Sequence, residues 1–407
     1  MNDQELIDLG LLHPIHTTER RAFRGCRRRW AWVFRDMYYP LKTARPLEFG
    51  VAYHAAMEKW YDPHLWGHED HAFIGKRLSI LEFQKVVSAQ LKEYKRLNGE
   101  LDHETKEDYR DRVDLGIKMI TYYIDKISPL VDVGFKPIGV EVPFEVPLGF
   151  RCKCDYCWHK FMVKWDTLRL GGYGNHTGID GRMPQHREWE GLPVTYGGRI
   201  DMIALDEHER IWIFDWKSTA RILDETSEAS FLELDDQITS YVTALWRLGR
   251  PVAGFVYHEQ RKAVPEPPKA LLRRMGGRSF STAKNANTDH QTFMKTIFEH
   301  DHEAFALGHY DEYLKWLKEE GPRYWQRHQV TRNAIELKNA WDNMVAEAHD
   351  IIDNPRIYPQ PGRFSCPTCA YRQPCLGKSQ GEDYQYLLDT TFEKRTKHYF
   401  ETQMSTE

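Results

Sequence analysis

Apolar positions along the chain recur first at helical spacing, then at strand spacing, and then at helical spacing again. From Thr18 to about Met37 they fall at Phe23, Cys26, Trp30, Val33 and Met37, which predicts a helix with Arg20, Arg24, Arg27 and Arg28 on neighbouring faces. The segment EFGVAYHAAMEKWY also reads helical and sets His54 and Glu58 one turn apart on one face. Residues from about 73 to 127 have the pattern of one or two long amphipathic helices. Alternation begins at Ile138 and runs to Leu148 through Val140, Val142, Phe144 and Val146, and two prolines within it predict an edge strand. Residues 151–194 lack periodicity and read as an insertion. Two short strands, 196–205 and 211–217, follow around the polar turn DEHER. The stripe Leu234, Ile238, Tyr241, Leu245 and Leu248 predicts a helix over 231–248, and 252–258 predicts a further strand. Beyond it the pattern is mixed and then mostly helical to about 352, with GGRSFSTAKNANT reading as a mobile loop.

This order divides the chain into an N-terminal helical region (1–135), a stranded core (136–260) with its insertion (151–194), a mainly helical region (261–350), a cysteine-bearing segment (351–380) and a polar, loosely held tail (381–407). Lys and Arg total 56 against 60 Asp and Glu, a formal net charge of −4, which excludes a uniformly basic protein but leaves room for a local basic patch. With 41% hydrophobic and 29% charged residues, wholesale disorder is excluded. No run approaches the roughly 18 apolar residues of a membrane span, and MNDQELIDLG lacks the pattern of a secretory signal. A cytoplasmic location is therefore expected, with the seven cysteines as reduced thiols or metal ligands.

The chemistry concentrates in GGRIDMIALDEHERIWIFDWKST. If its strands pair antiparallel about His208, with Leu205 facing Ile211, Asp201 lies opposite Asp215. Cross-strand Cβ atoms lie about 4.5–5.5 Å apart, so these carboxylates repel unless a cation separates them. Magnesium or manganese fits such a gap, and Lys217 points to the same face as Asp215. A metal flanked by carboxylates and an ammonium suits phosphodiester hydrolysis. Taken alone, the hairpin is equally well explained by two half-buried strands with surface charges matched across them.

Gly50-x3-His54, Gly198-Arg199-Ile200-Asp201, Asp215-Trp216-Lys217 and Gln237-x3-Tyr241, in this order, resemble the PD-(D/E)XK nucleases of the RecB type. With the cysteines, the chain is similar to the four-cysteine iron–sulphur version found in the AddB nuclease domain and the CRISPR-associated exonucleases. The resemblance spans about Thr18 to Cys375. It implies an α/β fold whose mixed central sheet is flanked by helices, with a large helical region and an iron–sulphur clasp joining the two ends of the chain. It further implies that His54, Asp201, Asp215 and the backbone carbonyl of Trp216 bind the divalent metal, that Lys217 is the catalytic lysine, and that Gln237 and Tyr241 face the site and the DNA backbone. Glu58 and Glu141 are candidates for the outer shell or ordinary surface charges.

FSCPTCAYRQPC supplies Cys366, Cys369 and Cys375, and three ligands leave a tetrahedral set incomplete. Cys26 is the natural fourth, for a 4Fe–4S cluster or, alternatively, zinc. Cys152, Cys154 and Cys157 have zinc-knuckle spacing, with His159, His176 or His186 as the fourth ligand; reduced strand cysteines are the competing reading. Six arginines lie within ten residues around Cys26, and Arg20, Arg24, Arg27 and Arg28 are read as phosphate contacts. Trp30 and Trp32 fit the core better than a stacking surface.

The function expected is a metal-dependent DNA nuclease, an exonuclease on single strands or duplex ends in recombination, repair or phage DNA processing, with a helicase or annealing protein as a candidate partner. The alternatives are a non-catalytic DNA-binding scaffold that keeps the fold and cluster, and a nuclease acting on RNA.

Overall fold

The computed structural model describes residues 13–41, 45–148, 151–152, 189–190, 194–223, 231–272, 278–352 and 356–395. In chain order the elements that build the core are β1 (His13–Ile15), α1 (Thr17–Gly25), α2 (Arg45–Trp60), α3 (His71–Asn98) and α4 (His103–Tyr122). They continue with β2 (Lys136–Pro147), β3 (Val194–Leu205), β4 (Ile211–Thr219), α5 (Asp236–Arg247), β5 (Val252–Arg261), β6 (Trp325–Val330) and α6 (Ala334–Ile352). The six strands form one mixed sheet in the order β1–β3–β4–β5–β6, with β2 also on β3. β3–β4 and β5–β6 are antiparallel and β4–β5 is parallel. A parallel pair needs a crossover, and α5 lies in that connection. Among the described residues β2 pairs with β3 alone, so its prolines sit on the edge strand that the sequence predicts.

Each face of the sheet is covered by helices. Phe49, Tyr53, Met57, Phe83 and Met119 from α2–α4 pack with Met202, Phe214, Trp216 and Val256. Ile238 and Leu245 of α5 and Trp341 and Met344 of α6 pack with Ile200, Ile213 and Phe255. This mixed sheet between helical layers agrees with the predicted fold class.

Strand alternation reverses in the β2–β3 pair. Val140 and Met202 pack with the α2–α4 cluster, whereas Val142 and Ile200, two residues along, pack with the α5–α6 cluster. A strict period of two would keep each pair on one face. The reversal falls at Glu141, whose φ of 49° is left-handed, and at Asp201 between the register pairs Val140–Met202 and Val142–Ile200. A non-glycine residue in that conformation costs about 1–3 kcal/mol, so surrounding contacts must hold it there.

The structure departs from the sequence reading in several places. The helix expected over 18–37 breaks at Cys26, whose backbone is extended (φ −166°), and resumes as Arg27–Trp30 followed by a π-helical turn, Ala31–Arg35. The helix expected over 231–248 breaks at Asp235, whose carboxylate caps α5 by accepting from the N–H groups of Gln237 and Ile238. Arg278–Phe280, read as loop, pairs with Ala270–Leu272. The segment read as a loose tail is ordered to residue 395: Tyr384–Thr391 is helical, and Phe392–Lys394 pairs with Tyr38–Pro40. Apolar packing of Trp32, Tyr38, Tyr371, Leu388 and Phe392 joins these two distant parts of the chain.

Candidate active site

The β3–β4 ladder runs from Leu205–Ile211 to Met202–Phe214 in the predicted register and stops one pair short of Asp201 and Asp215. Past that point the Trp216 N–H donates to Asp201 Oδ2, at 3.0 Å. His54 of α2 places Nδ1 3.2 Å from the same oxygen. Asp215 is 4% exposed; Lys217 Nζ donates to its Oδ1 at 2.7 Å and Gln237 Nε2 to the same oxygen at 3.2 Å. Asp215 Oδ2, also 2.7 Å from the ammonium, is buried without a well-oriented hydrogen bond.

Glu141 completes the cluster. One ligand atom each from His54, Glu141 and Asp201 lie within 4.8 Å of one another. An octahedral ion at 2.0–2.1 Å holds adjacent ligands about 3 Å apart and opposite ones about 4 Å apart, so magnesium or manganese fits this set. Asp215 lies outside this trio, with its carboxylate held by the Lys217 ammonium.

Charge at this end of the sheet is strongly coupled. Burial pushes the Glu141 carboxyl up, and the Asp201 charge adds to this, bringing it to about 7. Burial works against the charged forms of His54 and Asp201, but their mutual attraction wins: the imidazole is raised and the Asp201 carboxyl lowered. Burial raises the Asp215 carboxyl, and the Asp201 charge outlasts part of the Lys217 compensation. Burial would lower the Lys217 ammonium, yet Asp215 and Asp201 hold it above its ordinary value.

Tyr241, one turn after Gln237 on α5, packs edge-on to Phe144 at 5.0 Å, and burial pushes its hydroxyl well above the ordinary value. Gly198 is required beneath these rings, since a Cβ there would sit 2.6 Å from Phe144 and 3.2 Å from Tyr241.

The structure thus brings together His54, Asp201, Asp215, Lys217, Gln237 and Tyr241, with Trp216 contributing its backbone. Sequence reading left Glu141 among outer candidates; its signal was the reversal of alternation between Val140 and Val142, visible only once a partner strand is known. Glu58 instead pairs with Lys59 at 2.8 Å.

For Arg20 the expected phosphate role is corrected. Its side chain is 1% exposed and bound to Glu347, Asp236 and Ser240, which ties α1 to α5 and α6. Arg24 is 43% exposed but pairs with Asp236 and Glu347. Arg27 lies over the Phe23 and Tyr358 rings, and Arg28 donates to the Cys375 carbonyl, the Cys375 Sγ and Ser379. Trp30 and Trp32 are buried, as the sequence favours.

The Arg28 N–H donates to the Tyr358 carbonyl, so Cys26 lies where the two ends of the chain meet. Burial pushes the Cys369 thiol up, and the Cys26 and Cys366 charges act on it in the same direction. Gly362 N–H donates to Cys366 Sγ at 3.3 Å. Among the described residues no three of these sulphurs lie within 4.8 Å of one another. A tetrahedral zinc, with Zn–S of about 2.3 Å, would draw them closer than that. Of the second cysteine group, Cys154, Cys157 and the candidate ligands His159, His176 and His186 lie outside the described residues; Cys152 is placed only by its backbone, in the short strand Arg151–Cys152.

A mixed sheet whose splayed strands present two carboxylates, a lysine and a histidine defines a class of metal-dependent phosphodiesterase folds. Residues 17–376 match the model of the PD-(D/E)XK nuclease superfamily, and the chain belongs to that superfamily. No curated protein matches the chain. Members of this superfamily are typically metal-dependent nucleases using ions such as magnesium or manganese, and their substrate is nucleic acid. Among the described residues no helix is long and apolar enough to cross a membrane.

Proposed function

We propose that the protein is a divalent-metal-dependent deoxyribonuclease of the RecB type that acts as an exonuclease on single strands or duplex ends. The observation that carries this reading is the meeting of His54, Glu141 and Asp201 with the Asp215–Lys217 pair where β3 and β4 splay apart. In this reading His54, Asp201, Asp215 and the Trp216 carbonyl hold the magnesium or manganese ion, and Glu141 joins them. The bound ion supplies charge neutralisation at the phosphate and a water of lowered pKa. Lys217 donates to a phosphate oxygen or the attacking water from its fixed position beside Asp215. Gln237 keeps the Asp215 carboxylate turned towards the site, and Tyr241, packed on Phe144, lines the approach of the DNA backbone.

Cys26, Cys366, Cys369 and Cys375 would hold a 4Fe–4S cluster or, alternatively, zinc, the cluster being the reading that the resemblance favours. The cluster would reinforce the junction of the chain ends. End-labelled single-stranded DNA, duplex DNA and RNA, incubated with anaerobically purified protein and magnesium or manganese, test the reading. Mononucleotide or short products from DNA ends support it. Cleavage confined to RNA, or only internal cuts, would replace the substrate or the mode of action.

A further inference from the structure

β4 does not stop at the site. Two residues after Lys217 it reaches Thr219, and at the carboxyl ends of β4 and β5 a cleft of about 490 Å³ opens between residues 220–223, Arg261 and residues 319–323. A strand rise of about 3.3 Å per residue puts Ala220 about 10 Å from Lys217, within reach of the same bound strand. Carboxyl ends of parallel strands are where α/β sheets commonly receive ligands.

Three of the lining side chains are arginines, Arg221, Arg261 and Arg323, and two are glutamates, Glu319 and Glu320. The frame is fixed to the catalytic strand. Thr219 Oγ1 donates to the Arg221 carbonyl at 2.7 Å, and the Thr219 carbonyl accepts from the Lys262 N–H at 2.7 Å. The Leu223 N–H donates to Glu259 Oε2 at 3.2 Å, and Glu259 is the direct ladder neighbour of Lys217. Arg261 donates its N–H to the Tyr324 carbonyl and lays its guanidinium over the Tyr324 ring at 5.6 Å. The backbone that carries Arg221 and Arg261 is therefore tied to the strand that carries Lys217.

We propose that this cleft is a subsite for one phosphate group of the nucleic-acid strand whose scissile bond lies at Asp215 and Lys217. Guanidinium groups pair with phosphate through two parallel hydrogen bonds, which suits them to fix a single group in register. The two exposed glutamates on the rim offset part of the positive charge, which matches one phosphate rather than a long backbone track. The subsite rests on the nuclease reading of the neighbouring site. It would set where the strand lies relative to the bond that is cut.

The test measures binding of a fluorescent single-stranded oligonucleotide in EDTA, so that it reads the subsite without catalysis. Its arms carry a 5′-phosphate, a 3′-phosphate or hydroxyls at both ends, which separates a terminal from an internal phosphate. Arg221→Gln with Arg323→Gln changes two exposed side chains and should leave the fold intact, as a wild-type thermal midpoint would check. The expected result is about tenfold or more weaker binding, with the slope of log affinity against log salt reduced by about 0.7, the value for one single-strand phosphate. The lysine pair at the same positions should recover part of the affinity. Unchanged affinity and slope would overturn the subsite. A wild type that binds through these arginines but never cuts would sink the nuclease reading and leave the subsite standing.

Discussion

Asp215 and Cys366 mark two ways of holding reactive side chains. Asp215 is 4% exposed and gripped by an ammonium and a carboxamide, in a site where three elements converge on splayed strands. Cys366 is exposed, and the junction around the thiols is held by rings: Trp32 stacks on Tyr371 at 5.9 Å, and Tyr371 on Phe392 at 4.7 Å. The first region needs its polar partners to exist at all, because a buried carboxylate without them is costly. The second is already assembled by apolar packing, so metal ligation would add to a junction rather than create it.

The comparison breaks most sharply at Lys217. Lys217→Ala should slow DNA cleavage by about 10²–10³-fold or more while oligonucleotide binding in EDTA changes little, measured by single-turnover kinetics beside equilibrium binding. Next come three substitutions outside the site. Arg20→Ala leaves Glu347 and Asp236 without their buried cation and should cost about 3–5 kcal/mol in denaturant unfolding, with the salt slope of DNA binding unchanged. A reduced slope with little loss of stability would restore Arg20 as a phosphate contact. Trp32→Ala should cost about 3–5 kcal/mol, whereas Cys26→Ser in iron-free protein should stay within about 0.5 kcal/mol of wild type. If the cysteine change costs more than the tryptophan change, the thiols and not the rings hold the junction.

The smallest effect is one of pH. Glu141 has a carboxyl raised to about 7 in the folded chain, so the folded state holds its proton more tightly than the unfolded state. The stability this provides is complete below about pH 4.5 and is lost as pH rises through about 7. Metal-free wild type should therefore lose thermal stability across that window relative to Glu141→Gln. Parallel curves for the two would place the Glu141 carboxyl in an ordinary solvated setting.

Much of the fold was legible because its signals are local. The alternation of Val142, Phe144 and Val146, the two prolines of β2 and the DEHER turn fixed an edge strand and a hairpin register that the ladder follows as far as Met202–Phe214. His54, Asp201, Asp215, Lys217 and Gln237 were singled out by the resemblance to the nuclease motifs, and the structure places their side chains close together. What escaped is what only tertiary contacts define. Glu141 depends on a reversal shared by two strands 60 residues apart in register. The burial of Arg20 depends on Asp236 and Glu347, more than 200 residues away in sequence. The short strands β1 and β6 have too few residues for a periodic signal, and the polar C-terminal segment is ordered by Leu388 and Phe392 meeting Tyr38 and Trp32.

Manganese binding tests the central claim most directly. Titration of metal-free protein with Mn²⁺, followed by electron paramagnetic resonance of the free ion, should reveal a site that weakens at least tenfold in His54→Ala and in Asp201→Asn while both variants keep the wild-type fold. Equal manganese affinity in wild type and both variants would show that the cluster at the splayed strands is not the metal centre, and the account of the active site would fall with it.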